Sequence, residues 1–193
     1  MSHSKPSHLN SGVITMNRKL VILSMILLAS FDINAESKED SNKVTSINLV
    51  ERQEITYEVN SQSPFSGISE DYYENGQLKL RENFNDGKRN GLSLEYYENG
   101  QLWGKAFWKD GNRDGLTESY QENGQRLGSN ELKDGVVHGI TKMYFESGQL
   151  RSIMNYKDGY LDGLTEMYQE NGQLMGKRCF KKSIPEDMSY CDK

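Results

Sequence analysis

Apolar and polar residues form short, strand-like segments from about residue 64 onward. Segments of roughly six to nine residues rich in Tyr, Leu and Thr alternate with Asn-Gly and Asp-Gly pairs, and they show no helical 3.6-residue periodicity. The first two segments run from Ile68 to Tyr73 and from Leu78 to Phe84. Because Asn-Gly and Asp-Gly favour tight turns, each pair of segments predicts one β-hairpin.

The predicted hairpins are copies of a unit that repeats every 24 residues. The motif Glu-Asn-Gly-Gln begins at Glu74, Glu98, Glu122 and Glu170, and Glu-Ser-Gly-Gln begins at Glu146. Five copies over residues 64–181 predict an all-β fold, an elongated antiparallel meander of about ten strands in a single twisted or curled sheet. The predicted turn glycines are Gly76, Gly87, Gly100, Gly111, Gly124, Gly135, Gly148, Gly159 and Gly172.

The parity of the recurring apolar positions guides the prediction of turn type. An aliphatic row (from Ile68), a Tyr row (from Tyr72), a Leu row (from Leu78) and a large apolar row (from Phe84) all have even numbers. Two-residue turns would divide these rows between the two faces, whereas a type I turn followed by a glycine bulge pairs Tyr72 with Leu78. We therefore predict glycine-bulge turns at both hairpin ends, one apolar face and a wetter opposite face. The same pairing places a mostly small row opposite the next aliphatic, at Leu80, Gly104, Gly128, Ser152 and Gly176.

The third copy departs from the repeat pattern. Arg126 stands where the other copies have Leu, and Leu127 lies beside it. Either the register of this hairpin shifts or the hairpin exposes a charge.

The segments on either side of the repeats are predicted to cap the sheet. Residues 36–63 begin as a charged linker and become strand-like from Ser46 to Val59, and residues 182–193 form a C-terminal cap. Cys179 and Cys191 lie 12 positions apart at that end. In an exported chain this pair favours a disulfide, with a redox or metal role as the alternative.

The N-terminal 35 residues are typical of a secretory signal peptide. A charged start after Met16 precedes an apolar run from Leu20 to Phe31, about a dozen residues where a spanning helix needs roughly 20. We predict cleavage near Ala35 and an exported, periplasmic or secreted, protein; an uncleaved N-terminal anchor is the alternative. Residues 1–15 are interpreted as an upstream extension of the reading frame.

Charge disfavours nucleic acid as a partner. The chain has a formal net charge of −5, and residues 1–35 carry a net +2, so their removal would leave −7. Nucleic-acid binding draws on clustered Lys and Arg, which this chain intersperses with acidic residues. The same acidity disfavours contact with anionic lipid.

The repeat unit resembles the bacterial variant of the MORN repeat. The residues that carry the resemblance are Gly-Leu-Thr-Glu-x-Tyr-x-Glu-Asn-Gly-Gln-Leu, from Gly163 to Leu174, and the Lys-Asp-Gly-x-x-x-Gly segment before it. The resemblance implies an antiparallel sheet of stacked hairpins. Many bacterial proteins of this pattern are described as YwqK-family antitoxins, which implies toxin neutralisation by direct protein contact.

No catalytic constellation or cofactor-binding motif stands out, so we expect no enzyme, no cofactor and no metal centre. His138 occupies a turn position filled elsewhere by Asn90, Asp114 and Asp162, which indicates a polar loop residue. The Asp row at the second turn (Asp86, Asp110, Asp134 and Asp158) is interpreted as turn-forming, with weak divalent-cation binding as the alternative.

Odd-numbered aromatic residues are the candidate binding surface. They are predicted on the face opposite the apolar rows, where aromatic side chains on an open sheet favour recognition; alternatively, curling of the sheet covers both faces. The expected function is binding of a protein partner, and the more specific hypothesis is that this partner is a toxin. The alternative is a membrane-associated or structural scaffold of the cell envelope. The candidates are Tyr73, Tyr97, Trp103, Phe107 and Phe145.

Overall fold

The computed structural model describes residues 43–192. The predicted signal peptide and the first part of the linker lie outside these residues. Strands follow one another along the described chain, with short 3₁₀ turns at Ser46–Asn48 and Met188–Tyr190. The strands are β1 (Lys43–Thr45), β2 (Leu49–Arg52), β3 (Ile55–Glu58), β4 (Gly67–Tyr72), β5 (Leu78–Asn85), β6 (Lys88–Arg89), β7 (Gly91–Tyr96), β8 (Leu102–Lys109), β9 (Asn112–Tyr120), β10 (Arg126–Lys133), β11 (Val136–Tyr144), β12 (Leu150–Lys157), β13 (Tyr160–Tyr168), β14 (Leu174–Lys181) and β15 (Ile184–Glu186).

Thirteen of these strands form one sheet in which chain order and spatial order coincide from β4 to β15. Consecutive strands pair antiparallel, and the short β6 pairs with β5. At the N-terminal edge β1 adds in parallel to β4. The prediction of an all-β meander of tandem hairpins is confirmed.

The Glu-Asn-Gly turns have the predicted three-residue geometry. In the first, the Tyr73 N–H donates to the Gln77 carbonyl at 2.8 Å and the Gly76 N–H donates to the Tyr73 carbonyl at 2.9 Å. Gly76 has φ 83°, while Glu74 and Asn75 keep ordinary negative φ. The Asn75 side chain accepts from the Gln77 N–H at 2.9 Å, which stabilises the turn.

The Asp-Gly turns differ from the prediction. Asp86 (φ 50°) and Gly87 (φ 74°) both adopt left-handed conformations, and Asn85 pairs directly with Lys88. This is a two-residue type I′ turn, so the predicted glycine bulge is wrong at this end. The type I′ turn is favoured because its twist matches that of the flanking strands, and Asp tolerates positive φ better than most residues.

A one-residue bulge after each Glu-Asn-Gly turn moves the large apolar row to the other face. Tyr72 lies opposite Leu78 as predicted, but Asp71 lies opposite Leu80, so Lys79 is the additional residue. Beyond the bulge, cross-strand partners have opposite parity, and Phe84 pairs with Gly67 instead of sharing the face of Ile68. The prediction of one apolar face with all four rows is therefore wrong. The small row is also misplaced, because Gly128 lies opposite Met143 and not opposite Ile140.

A second bulge contains Gly115, which belongs to a further recurring glycine row with Gly91, Gly139 and Gly163. Ala106 pairs with Thr117 but Trp108 pairs with Arg113, so Asp114, Gly115 and Leu116 face Phe107 alone. Gly115 has φ 111°, and a Cβ there would lie 3.3 Å from the Cβ of Phe107. Glycine is favoured here because this φ strains an L side chain and the contact with Phe107 would be tight.

Two rows of residues define the faces of the sheet. What we call the hydroxyl face carries the row Ser69, Ser93, Thr117, Thr141 and Thr165, together with the large apolar row. What we call the ion-pair face carries the row Glu70, Leu94, Glu118, Lys142 and Glu166, together with the aliphatic, Tyr and Leu rows. Apolar residues thus lie on both faces, and the aliphatic residues Leu116 and Ile140 remain exposed in this single layer.

The N-terminal segment packs a second, two-stranded sheet of β2 and β3 against the first repeat. Phe65, only 3% exposed, lies between them with its ring 5.6 Å from that of Phe84. Its N–H donates to the Thr56 carbonyl at 2.8 Å, and its carbonyl accepts from the Gly87 N–H at 2.7 Å. A side chain at Gly87 would clash with Ile55, so the closely packed cap also requires glycine at this turn.

The C-terminal end retains the turn geometry without its usual residues. Lys182 and Ser183, with φ of 48° and 64°, replace Asp-Gly between β14 and β15. The Ser183 N–H donates to the Leu161 carbonyl at 2.7 Å, as the Gly159 N–H does to Val137 one repeat earlier. Cys179, 1% exposed, forms a disulfide with Cys191 across a Cα separation of 6.0 Å. The predicted disulfide is therefore present at this end.

Replacement of a turn glycine tests the contribution of the left-handed conformation. Gly111 has φ 89° and no atom within 3.8 Å of a new Cβ, so Gly111→Ala should lower the free energy of unfolding by about 1–2 kcal/mol for backbone reasons alone. Gly176 has no left-handed φ and open space around it, so Gly176→Ala should instead raise it by about 0.4–1 kcal/mol. Urea denaturation measures both; equal effects would contradict the assignment.

Reduction of the disulfide should loosen the C-terminal repeat. Removing a cross-link of this loop length costs about 3 kcal/mol, so Cys179→Ser/Cys191→Ser should unfold at a lower temperature than the oxidised wild type. Hydrogen exchange should show the lost protection first in β13 to β15. Two titratable thiols in the denatured, unreduced wild-type protein would refute the disulfide.

Candidate functional site

The ion-pair face carries three carboxylates, the buried Glu70 and Glu118 and the partly buried Glu166, each paired with a cation. Arg81 Nη2 lies 2.5 Å from Glu70 Oε1, and Lys177 Nζ lies 2.5 Å from Glu166 Oε1. The Glu118 side chain is 3% exposed and contacts two cations, Lys105 Nζ at 2.5 Å and Arg126 Nη2 at 2.6 Å. Lys105 and Glu118 face each other across the junction of the second and third copies. These carboxylates therefore connect neighbouring strands and are occupied by the protein's own cations.

Arg126 explains how the third copy tolerates its departure from the repeat. Its register is unchanged, since Tyr120 pairs with Arg126 as Tyr72 pairs with Leu78. The guanidinium lies 5.9 Å from the ring centroid of Tyr120 and 6.0 Å from that of Tyr144. Thus Arg126 replaces the packing of Leu with cation-π contacts and pairs its charge with Glu118.

The surroundings of Glu118 favour its charged form. Burial raises the pKa of Glu118, but the hydrogen bond from Lys105 and the charge of Arg126 outweigh it and hold the pKa below its ordinary value. The same contact raises the pKa of the Lys105 ammonium above its usual range. Both groups are therefore charged at neutral pH.

Four of the five predicted binding residues lie on the hydroxyl face. Tyr73, Tyr97 and Phe145 are half-buried where the first strand of a repeat meets its Glu-Asn-Gly or Glu-Ser-Gly turn, and the Tyr73 hydroxyl donates to the Tyr96 carbonyl at 2.7 Å. Trp103 occupies the bulge position and is 44% exposed. Phe107 pairs with Leu92 and so lies on the ion-pair face, where it is 43% exposed. Its assignment to the same surface is wrong because the bulge reverses the parity after Trp103.

A cluster around Trp108 extends the aromatic surface of the hydroxyl face. The guanidinium groups of Arg89 and Arg113 lie 5.1 and 5.3 Å from the Trp108 ring centroid. Arg89 also pairs with Glu82 at 2.5 Å. Together with Trp103, these residues line a groove of about 460 Å³. Sequence reasoning missed this cluster because it assigned Trp108 to an apolar row, although the flanking arginines were a signal.

A second groove on the hydroxyl face is lined by methionines. Met143, Met154, Met167 and Met175 border a groove of about 430 Å³, with Phe145 at one side. The four residues come from strands β11 to β14 and lie at three different offsets within the repeat. Sequence reasoning missed the groove because only the pairing of strands brings these offsets together.

The polar residues at the Asp-Gly turns have structural roles. The Asp134 N–H donates to Asp114 Oδ2 at 3.1 Å, and one repeat on the Asp158 N–H lies 3.4 Å from His138 Nδ1. His138 thus takes the position and the contact of the Asp in the preceding copy. Between residues 43 and 192, no group of three or more His, Cys, Asp or Glu could hold a metal ion. No helix in that range is long and apolar enough to cross a membrane.

The tandem hairpins and their two open faces define the class of this molecule as a single-sheet repeat protein. Four segments match the family model of the MORN repeat variant, at residues 66–86, 89–110, 137–158 and 161–182. The unmatched stretch between them contains Arg126, yet it forms the same hairpin. The chain therefore contains repeats similar to this family, and no curated protein matches it.

The ion pair of Glu118 should make stability depend on pH. Because the folded-state pKa lies below the ordinary value, its contribution is present above the unfolded pKa and is lost as pH falls through the folded value. At pH 7, Glu118→Gln should lower the free energy of unfolding by about 1–3 kcal/mol, since it leaves a buried amide and two unmatched cations.

The control for this substitution is Glu98→Gln at an exposed turn. Urea denaturation between pH 7 and pH 3 should show a shallower pH dependence in Glu118→Gln than in Glu98→Gln. Identical pH profiles would remove Glu118 from the stabilising contacts.

Proposed function

We propose that this protein is a non-enzymatic binding module that engages a protein partner through the hydroxyl face of its repeat sheet. The observation that carries the proposal is the exposed Trp103, which lines one groove together with Trp108, Arg89 and Arg113. Tryptophan, tyrosine and arginine are the residues enriched where protein interfaces concentrate their binding energy.

The surroundings of Trp103 support a preformed site. Its strand is paired on both sides, and Tyr97 beside it is tied to the next repeat by a 2.9 Å hydrogen bond to the Tyr120 carbonyl. A rigid aromatic surface loses little conformational entropy on binding.

We further propose that the partner is a toxin and that the protein acts outside the cytoplasm. The resemblance of the repeats to YwqK-family antitoxins supports direct toxin neutralisation. The Cys179–Cys191 disulfide is consistent with an oxidising compartment, which fits the exported protein that the N-terminal sequence predicts. An exported immunity protein combines the two features.

Two aromatic residues on one strand provide a matched test. Trp103 and Phe107 are 44% and 43% exposed on β8 but lie on opposite faces. Affinity capture from the native host, followed by mass spectrometry, identifies the partner bound by the wild-type chain. Trp103→Ala should weaken its binding by about 30-fold or more, the effect of a loss of about 2 kcal/mol, while Phe107→Ala leaves it within about threefold.

The reverse ranking would place the partner on the ion-pair face. Equal binding by both variants and the wild type would exclude this part of either face. Thermal denaturation of each variant establishes that the sheet is folded before binding is compared.

A further inference from the structure

The methionines of the described chain are concentrated in one place. Residues 43–192 contain five of them, and all but Met188 line the groove on the hydroxyl face of the last two repeats. Met143, Met167 and Met175 are exposed, so their thioethers are accessible from solvent.

Strand pairing brings three of these side chains together around one small residue. Met143 and Met167 both lie opposite Ser152, one on each side of β12, which puts their Cα atoms about 10 Å apart. Met154 lies two residues further along the same face and is diagonal to both, at about 7–8 Å. Ser152 and Thr165 are buried beneath the groove, so three flexible thioethers can converge above them.

The fold does not require methionine at these positions. The row that holds Met143 and Met167 contains Asp71, Glu95 and Ser119 in the other copies. The Met154 row contains Glu82, Ala106, Asn130 and Arg178. Since the same strand positions accept acidic, basic and small residues, sheet stability alone does not account for the cluster.

We propose that the methionine groove binds a single Cu(I) ion through the thioethers of Met143, Met154 and Met167, with Met175 beside them. Thioethers are soft, neutral ligands that select Cu(I) over hard divalent cations. The residues that line the groove include no carboxylate, imidazole or thiol. The guanidinium of Arg151 at its margin repels a divalent cation more strongly than it repels the monovalent Cu(I) ion. This inference is independent of the protein partner proposed above.

A site made of thioethers has a distinctive pH dependence. Carboxylate, imidazole and thiolate ligands are lost when they protonate, whereas thioethers have no proton to gain in this range. Cu(I) binding at this groove should therefore persist at pH 5 with nearly the affinity it has at pH 7.

The test is a competition titration of the full chain, with its disulfide intact, against the chromophoric Cu(I) chelator bicinchoninate under argon. The wild type should withdraw one equivalent of Cu(I), at pH 7 and at pH 5. Met154→Leu/Met167→Leu should bind at least about 10-fold more weakly, while Met188→Leu, outside the groove, should match the wild type. Leucine is close in volume, so the fold is expected to tolerate the exchange.

A measurement on the unaltered protein covers the case in which the double variant does not fold. With methyl-labelled methionine, one equivalent of Ag(I), a soft surrogate for Cu(I), should shift the NMR signals of Met143, Met154 and Met167 and leave Met188 in place. Absence of Cu(I) uptake, equal uptake by the groove variant, loss of binding at pH 5, or shifts at Met188 alone would each overturn the proposal.

Discussion

The left-handed backbone at the turns is the constraint on which the rest of the structure depends. Each Asp-Gly turn places two residues at positive φ and each Glu-Asn-Gly turn places one. The first turn is a two-residue loop and the second is a three-residue loop, so the two ends of a hairpin pair their strands differently. This difference, together with a bulge beside each turn, sets the register of every strand. In a single layer, where each strand contacts only its neighbours, an error in one turn would displace all the side chains that follow.

Stability is distributed along the sheet because a single layer encloses little interior. Few apolar side chains are fully buried, and Phe65 and the Cys179 disulfide protect the two ends. Between them, buried carboxylates and their cations join adjacent strands, most fully at Glu118. Arg126 shows how this arrangement accepts a non-consensus residue, since its charge completes the same ion pair and its guanidinium lies over two tyrosine rings.

Each face combines rows that recur in every copy with rows that diverge. On the ion-pair face the aliphatic and Tyr rows recur in every copy, since they pack against neighbouring repeats. On the hydroxyl face the Ser/Thr row recurs in the same way, but another row differs in every copy: Glu82, Ala106, Asn130, Met154 and Arg178. These positions therefore accept side chains of different chemistry, with tryptophan and arginine at one end of the face and methionine at the other. Both sites proposed above use divergent positions of the hydroxyl face.

The sequence by itself determined the 24-residue hairpin unit, its turn glycines and the cysteine pair, because these depend on local conformation and spacing. It did not determine which side chains share a face. Trp103 and Phe107 differ by four residues and were expected together, yet they lie on opposite faces, and the four methionines meet from three different offsets. Only the tertiary structure decided these relations, since one additional residue in a bulge reverses the face on which the following side chains lie. The 24-residue repeat of the sequence does not reveal the bulge, because every copy contains it.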